Sequence, residues 1–214
     1  YNLYHIGNYF MSELDFLSSG IEDLDKLLIF TAEIDKMTSV FRRTMLLDLS
    51  RRENDAEHSW HIAVMAIIFR KFFPKPVDIG RVVKMCVIHD LVEIYAGDTF
   101  AYDEQGYSDK NERESKAADK LFNSIPSEIG DELRSLWEEF DLADSDDAKY
   151  AACMDRLQPF LHNTLTEGFT WKEGKTSRSQ IEKRFKIIKD SMPCLWPWIE
   201  KNLDMAIQKG WVAE

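Results

Sequence analysis

Val82-Val-Lys-Met-Cys86-Val-Ile-His89-Asp90-Leu-Val-Glu93-Ile-Tyr-Ala-Gly97-Asp98 is the stretch on which the reading of this chain turns. Its first half is apolar and helical in character; its second half sets His89, Asp90, Glu93 and Asp98 within ten residues. Ionisable groups at the end of an apolar helix are costly to bury without compensation, and a bound cation supplies it. The stretch therefore reads as half of a metal site at the end of a buried helix, with the other half to be sought elsewhere in the chain.

Upstream, the segment from Ile21 to Arg43 carries Leu24, Leu27, Leu28, Ile34, Met37 and Val40 at the helical i, i+3, i+4, i+7 rhythm. Met45 to Ser50 reads as a connector and Arg51 to Asp55 as a polar loop. A second helix is expected from Asp55 or Ala56 to Phe73, stopped by Pro74 and Pro76. Asp78 caps a third, extending through His89 to about Tyr95; its middle is apolar nearly all round, which predicts a central position.

Downstream, Gly97 to Asp109 reads as a loop long enough to border a site. Helices are expected over Lys110 to Asn123 and from Pro126-Ser127 to Phe140. Another runs from the Asp144–Asp147 start through Glu167, and a further one over Gln180 to Met192, capped by Thr176 or Ser177. A last, tryptophan-bearing helix reaches Lys209, and Gly168 to Ser177 reads as a loop. No window alternates convincingly like a strand. The expectation is an all-α fold with one domain over residues 21–214, preceded by an N-terminal extension over residues 1–20. The part ahead of Met11 reads either as an expression remnant or as native chain.

Composition narrows the function. With 214 residues the chain is long enough for one substantial core. Its 27 basic and 38 acidic side chains give a formal charge of −11, which disfavours a binder of nucleic-acid polymers. A small anionic substrate needs only one or two well-placed basic groups and stays open. The three cysteines are widely spaced with no CxxC pair, so a disulfide framework is not expected and a reducing compartment is. No apolar run is long enough to span a bilayer, and no basic n-region precedes an apolar block. The chain reads as cytoplasmic, without membrane partners.

The missing ligands have candidates in His58, within Asp55-Ala-Glu57-His58-Ser-Trp60-His61, and Asp155, within the apolar Ala151-Ala-Cys-Met-Asp155. Two imidazoles and two carboxylates, His58, His89, Asp90 and Asp155, suit one divalent ion of Zn, Mn, Fe, Co or Ni. Such an ion lowers the pKa of a bound water and polarises a phosphoryl oxygen. Glu93, four residues after His89, falls on the same helical face and can orient or deprotonate that water. Asp98 can protonate a leaving oxygen or hold a substrate hydroxyl. Arg43, ahead of Arg42, Arg51 and Arg52, can clamp a phosphate.

This pattern resembles the HD-domain metal-dependent phosphohydrolases, whose His…His-Asp…Asp signature falls on His58, His89-Asp90 and Asp155. Arg43, Glu57-His58-Ser59, His89-Asp-x-x-Glu93-x-x-x-Gly97-Asp98 and Asp155 are similar to the bacterial 5'-deoxynucleotidase branch and its eukaryotic relatives. The resemblance runs roughly from Arg43 to Asp155. It implies a helical domain holding one divalent metal on His58, His89, Asp90 and Asp155, with Glu93 acting on the water, Asp98 at the sugar or leaving group, and Arg43 on the phosphate. It also implies a homodimer that hydrolyses (deoxy)nucleoside 5'-monophosphates. One departure stands out: the family's tryptophan after the matching arginine is Thr44 here.

Blander roles compete for several residues. His61 reads as a core or supporting histidine, His162 as a pocket or surface histidine ahead of a ligand to a second metal, and Cys86 as a small core residue. Trp196, Trp198, Trp211 and Phe185 read as a C-terminal core or dimer contact. Competing functions are hydrolysis of another small phosphate ester or of a pyrophosphate, and metal-stabilised regulation without turnover. Ile94 after Glu93 counts against the alarmone-hydrolase type, which carries Glu-Asp there. Glu93 and Asp98 count against a purely structural ion.

Overall fold

In the computed structural model, which describes residues 14–214 apart from 104, 105 and 107, the first helical rhythm ends sooner than its apolar spacing predicts. Helix α1 (Leu14–Leu17) is a single turn, and α2 (Glu22–Ile34) gives way to a tight turn over Asp35–Ser39. The chain then extends into β1 (Phe41–Met45), which pairs antiparallel with β2 (Arg52–Asn54). The sheet corrects the strandless expectation for these residues; stretches this short hold too few residues for period-two alternation to register. Within an otherwise helical fold the hairpin has one consequence for the site: Thr44 is buried and Arg43 exposed, with Arg42 between them in burial. Residues 1–13, most of the expected extension, lie outside the described residues.

Helix α3 (Asp55–Phe69) starts where Asn54 and Glu57 form a reciprocal capping box, with bonds of 2.9 and 3.1 Å. A turn over Arg70–Phe72 closes it ahead of Pro74. Asp78 caps α4 (Ile79–Ile88) by accepting from the amides of Gly80 and Arg81. The helix expected to run on to Tyr95 stops at Ile88. Leu91 and Glu93 donate to the carbonyls of Ile88 and Asp90, three residues back, before the single turn α5 (Glu93–Ala96). Side chains three apart eclipse in such a tight turn, so Glu93 comes to lie over Asp90 and not on the face of His89. Gly97, at φ +76°, then turns the chain towards Asp98 in a conformation that favours glycine.

The remaining elements are α6 (Lys110–Phe122), α7 (Ser127–Leu142), α8 (Asp146–Leu165), α9 (Phe169–Glu173), α10 (Arg178–Ser191) and α11 (Trp196–Gln208). Ser145 caps α8, and Ser177 with Gln180 boxes the start of α10. Helix α9 lies within the segment expected to be loop. The central helix is α8, against which α3, α4, α7 and α10 pack, together with β1 and α9. Its run Ala151-Ala-Cys153 is buried and small, which lets neighbours approach, while Tyr150 and Phe160 fill the layers above and below. Each such fully buried large side chain contributes roughly 1.5–3 kcal/mol. By contrast α4 is one-sided: Val82, Met85 and Cys86 face in, and Val87 is 48% exposed. Phe160 also meets Trp171, Phe185 and Trp198, so that part of the aromatic C-terminal region does build core. No helix among the described residues is long and apolar enough to cross a membrane.

Candidate metal centre

His58 sits on the first turn of α3, His89 and Asp90 just past the end of α4, and Asp155 in the middle of α8. Packing of these three helices brings the four side chains together. His58 Nε2 lies 3.0 Å from Asp155 Oδ1, His89 Nε2 3.0 Å from Asp90 Oδ1 and 3.8 Å from Asp155 Oδ1. All four residues are buried.

The second nitrogen of each ring says what the first is for. His89 Nδ1 is 2.9 Å from the Cys86 carbonyl, which can only accept, so Nδ1 carries the hydrogen. His58 Nδ1 is 3.0 Å from the amide oxygen of Gln158. Both Nε2 lone pairs are thus turned towards carboxylate oxygens, acceptor against acceptor, and His89 Nε2 is buried with no hydrogen-bond partner. Protonation is no remedy at His58, whose pKa is held well below the usual imidazole range by burial and by Arg42. A cation among these atoms would satisfy all of them, and two nitrogens with two oxygens suit a divalent transition metal. The residues present fit the group.

Each carboxylate is divided between an imidazole and a guanidinium. Asp90 Oδ2 accepts from Arg42 Nη1 at 2.8 Å, and Asp155 Oδ2 accepts from Arg156. Burial works against charge on Asp90, but neighbouring positive charge, that of the Arg42 guanidinium included, outweighs it and holds its pKa below the usual carboxylate range. Arg42 also lies 3.4 Å from Asp55 and 3.8 Å from Glu53. Burial opposes its charge too, yet the surrounding carboxylates, Asp90 and Asp98 foremost, keep its pKa raised.

A second acidic set adjoins the first. Asp55, Asp90 and Glu93 each offer an oxygen within 4.8 Å of the others, and Asp55 Oδ2 and Glu93 Oε2 are buried without partners. Burial, then the charge of Asp90, pushes the Asp55 pKa up to about 8. Burial, then Asp90 and Asp55, holds Glu93 well above its ordinary value. Asp98 is raised chiefly by burial, opposed by Arg42.

His89, Asp90, Glu93, Asp98 and Asp155 line a cleft of about 130 Å³ together with Arg43, Lys110, Arg156 and Arg184, while His58 and Asp55 lie behind that lining. The Arg43 guanidinium stacks 4.5 Å over the Phe100 ring, and Trp137, Phe140 and Trp171 supply further aromatic wall. The arginines considered beside Arg43 are engaged elsewhere: Arg51 with Glu57, Arg52 with Glu173 at 2.7 Å, and Arg42 beneath the carboxylates. Glu57, next to His58, works as a helix cap and not at the cleft. His61 and His162 are near each other, ring centres 5.5 Å apart, and form a group with Glu53 behind His58.

From the sequence alone, Asp55, Gln158 and Glu53 carried no site role. A signal existed for one of them: Asp155, Gln158 and His162 are spaced i, i+3, i+7 on α8 and so share a helix face. Asp55 and Glu53 flank a helix start and carry no spacing that ties them to a carboxylate 35 or more residues away.

Comparison with known proteins gives a consistent result. Residues 34–196 match the family described as HD domain. The human 5'-deoxynucleotidase HDDC2 is 27% identical over 128 residues, 60% of this chain and 61% of its own length. The protein of that name from Danio rerio is 24% identical over 71% of this chain and 75% of its own. The chain thus spans about three fifths of the length of the first mammalian relatives it matches. Among solved structures, a predicted metal-dependent phosphohydrolase from Magnetospirillum magnetotacticum MS-1 is 43% identical, with a TM-score of 0.86 over 92% of this chain and all of that one. A conserved hypothetical protein from Pyrococcus furiosus shares the fold at 21% identity and a TM-score of 0.54.

Proposed function

The chain belongs to the HD domain family, and from that premise we propose that it is a metal-dependent phosphohydrolase acting on (deoxy)nucleoside 5'-monophosphates, releasing nucleoside and phosphate. The observation that carries the reading is the pair of imidazole Nε2 atoms turned on carboxylate oxygens, with His89, Asp90 and Asp155 lining a cleft that also presents Arg43. Of the basic side chains on that lining, Lys110 is paired with Glu114 at 2.8 Å and Arg156 with Asp155, while Arg43, its guanidinium over Phe100, suits an anionic ester. The names of the relatives from human and Magnetospirillum support the same reaction class.

His58, His89, Asp90 and Asp155 would hold one divalent metal, which when bound lowers the pKa of a water and polarises a phosphoryl oxygen. Glu93, whose pKa burial and Asp90 raise, is placed to take and return a proton beside Asp90. Asp98, kept up by burial, faces the cleft where it can donate to the leaving 5' oxygen or hold a sugar hydroxyl. Arg43 binds the phosphate, its guanidinium plane set by Phe100. The aromatic wall of Trp137, Phe140 and Trp171 offers a surface for the base.

We further propose a homodimer joined through α3, whose Trp60, Val64, Ile67 and Ile68 form an exposed apolar stripe at i, i+4, i+7 and i+8.

Phosphate release from a panel of nucleoside monophosphates, after chelator treatment and re-addition of Mn, Co or Zn, tests the function. Release restored by metal on deoxynucleotides supports it; no release on any monophosphate with any metal overturns it.

A further inference from the structure

Behind the ligand shell, the Gln158 side chain joins two groups of residues. Its Oε1 lies 3.0 Å from His58 Nδ1, and its Nε2 lies 2.5 Å from Glu53 Oε1, 3.1 Å from His162 Nε2 and 3.3 Å from His61 Nδ1. Gln158 and His58 have no exposed surface, and Glu53 and His162 are 1% and 3% exposed, so bulk solvent does not reach these groups.

Counting donors and acceptors fixes the hydrogens. His162 Nδ1 lies 2.9 Å from the Met45 carbonyl on β1, which only accepts; Nδ1 therefore carries the hydrogen and Nε2 a lone pair. Glu53 Oε1 also accepts when its carboxyl is ionised. Both need a donor, and the Gln158 amide nitrogen is the donor placed between them. With its nitrogen committed there, the amide presents its oxygen to His58. His58 Nδ1 must then carry the hydrogen, which leaves Nε2 as a lone pair facing Asp155. His89 meets the same requirement locally, through the Cys86 carbonyl three residues back. His58 sits on the first turn of α3 and takes its acceptor from α8, 100 residues on in the chain.

We infer that Gln158 is a positioning residue for the metal centre. Held by Glu53 and His162, it selects the His58 tautomer that can ligate, through hydrogen bonds running from the Met45 carbonyl to the metal-facing Nε2. The inference rests on the reading of His58 as a ligand. Glu53, His61 and His162 have the makings of a second metal site, their donor atoms lying within 4.8 Å of one another. The Gln158 amide nitrogen already lies within 3.3 Å of an oxygen or ring nitrogen of each of the three. The set therefore serves the first site by orienting Gln158. Partners of this kind, behind the ligands, are worth about 10–100-fold in metal affinity.

The test uses the full chain. In metal-free protein, long-range ¹H–¹⁵N NMR should show His58 protonated at Nδ1. Co(II) titrated against a chelating dye should saturate at one tight equivalent, and Gln158→Leu, shown folded by circular dichroism, should bind it about 10–100-fold more weakly. His58 protonated at Nε2, unchanged affinity in Q158L, or a second tight equivalent abolished by His162→Phe would each overturn the inference. Should Q158L not fold, the tautomer of the unsubstituted protein decides alone. If that protein binds no Co(II) while His58 carries its hydrogen on Nδ1, the metal reading fails and the tautomer selection stands.

Discussion

Arg42 Nη1 lies 2.8 Å from Asp90 Oδ2, while the other oxygen of that carboxylate lies 3.0 Å from His89 Nε2. One side chain is thereby held in a single orientation by a guanidinium, with its second oxygen kept for a ligand. The neighbouring Arg43, one residue on along β1, points to the cleft and to Phe100. Alternation along a strand gives consecutive arginines different surroundings and different work.

Arg42→Met removes the cation that offsets buried Asp90, Asp55 and Glu53. The metal-free protein should lose about 3–5 kcal/mol by urea denaturation, the cost of leaving buried charge unpaired. Arg43→Met should leave the urea midpoint nearly unchanged and raise KM for a monophosphate. Similar midpoints for the two variants would refute this division of labour.

Glu93→Gln keeps the shape of the side chain and removes its proton chemistry. Turnover should fall about 10²–10⁴-fold with one equivalent of metal retained, whereas Asp90→Asn should lose the metal. Elemental analysis of both purified variants checks this; equal metal loss would return Glu93 to the ligand set.

The buried acids make the metal-free protein sensitive to alkali. Burial pushes Glu53 up to about 7 and Asp55 up to about 8, both above their unfolded values. For a raised acid, the stability gained is fully present below the unfolded pKa and is lost as pH rises through the folded one. Between about pH 6.5 and 9, unfolding free energy should therefore fall by a few kcal/mol. Asp55→Asn should flatten the upper part of that fall. A wild-type protein equally stable at both ends would contradict the buried-acid account.

The apolar stripe on α3 predicts an assembly defect. The double substitution Ile67→Glu, Ile68→Glu places charge where Trp60 and Val64 continue the same face. Light scattering should report a dimer for the unsubstituted chain and a monomer for the variant. A monomeric wild-type chain would remove the proposed interface.

How much of this could be read without coordinates differs by residue. The all-α character followed from apolar spacing over segments of ten residues or more, where periodicity is strong. The hairpin at Phe41–Asn54 escaped because its strands are short, and with it went the separate roles of Arg42 and Arg43. The helix break after Ile88 escaped because an apolar run with a polar end looks the same whether its turns are wide or tight. That break moved Glu93 from the face of His89 to that of Asp90.

The sequence by itself determined the helical class, the cap at Asp78, a cap at Thr176 or Ser177, and the candidate donor set of His58, His89, Asp90 and Asp155. The helical class and the caps depend on residue type and on spacing along one element, which the chain carries locally. The donor set followed from residue type and from likeness to a His…His-Asp…Asp signature spread over three elements. Only the tertiary structure decided which atoms of those residues face one another and what holds them there. Arg42 reaches Asp90, 48 residues on, and Gln158 reaches His58, 100 residues back, only because their elements pack together. A buried hydrogen bond between residues 100 positions apart is set by how helices pack, and spacing along the chain does not encode it. The stretch from Val82 to Asp98 announced that a charge was missing, and the fold supplied the side chains that hold its place.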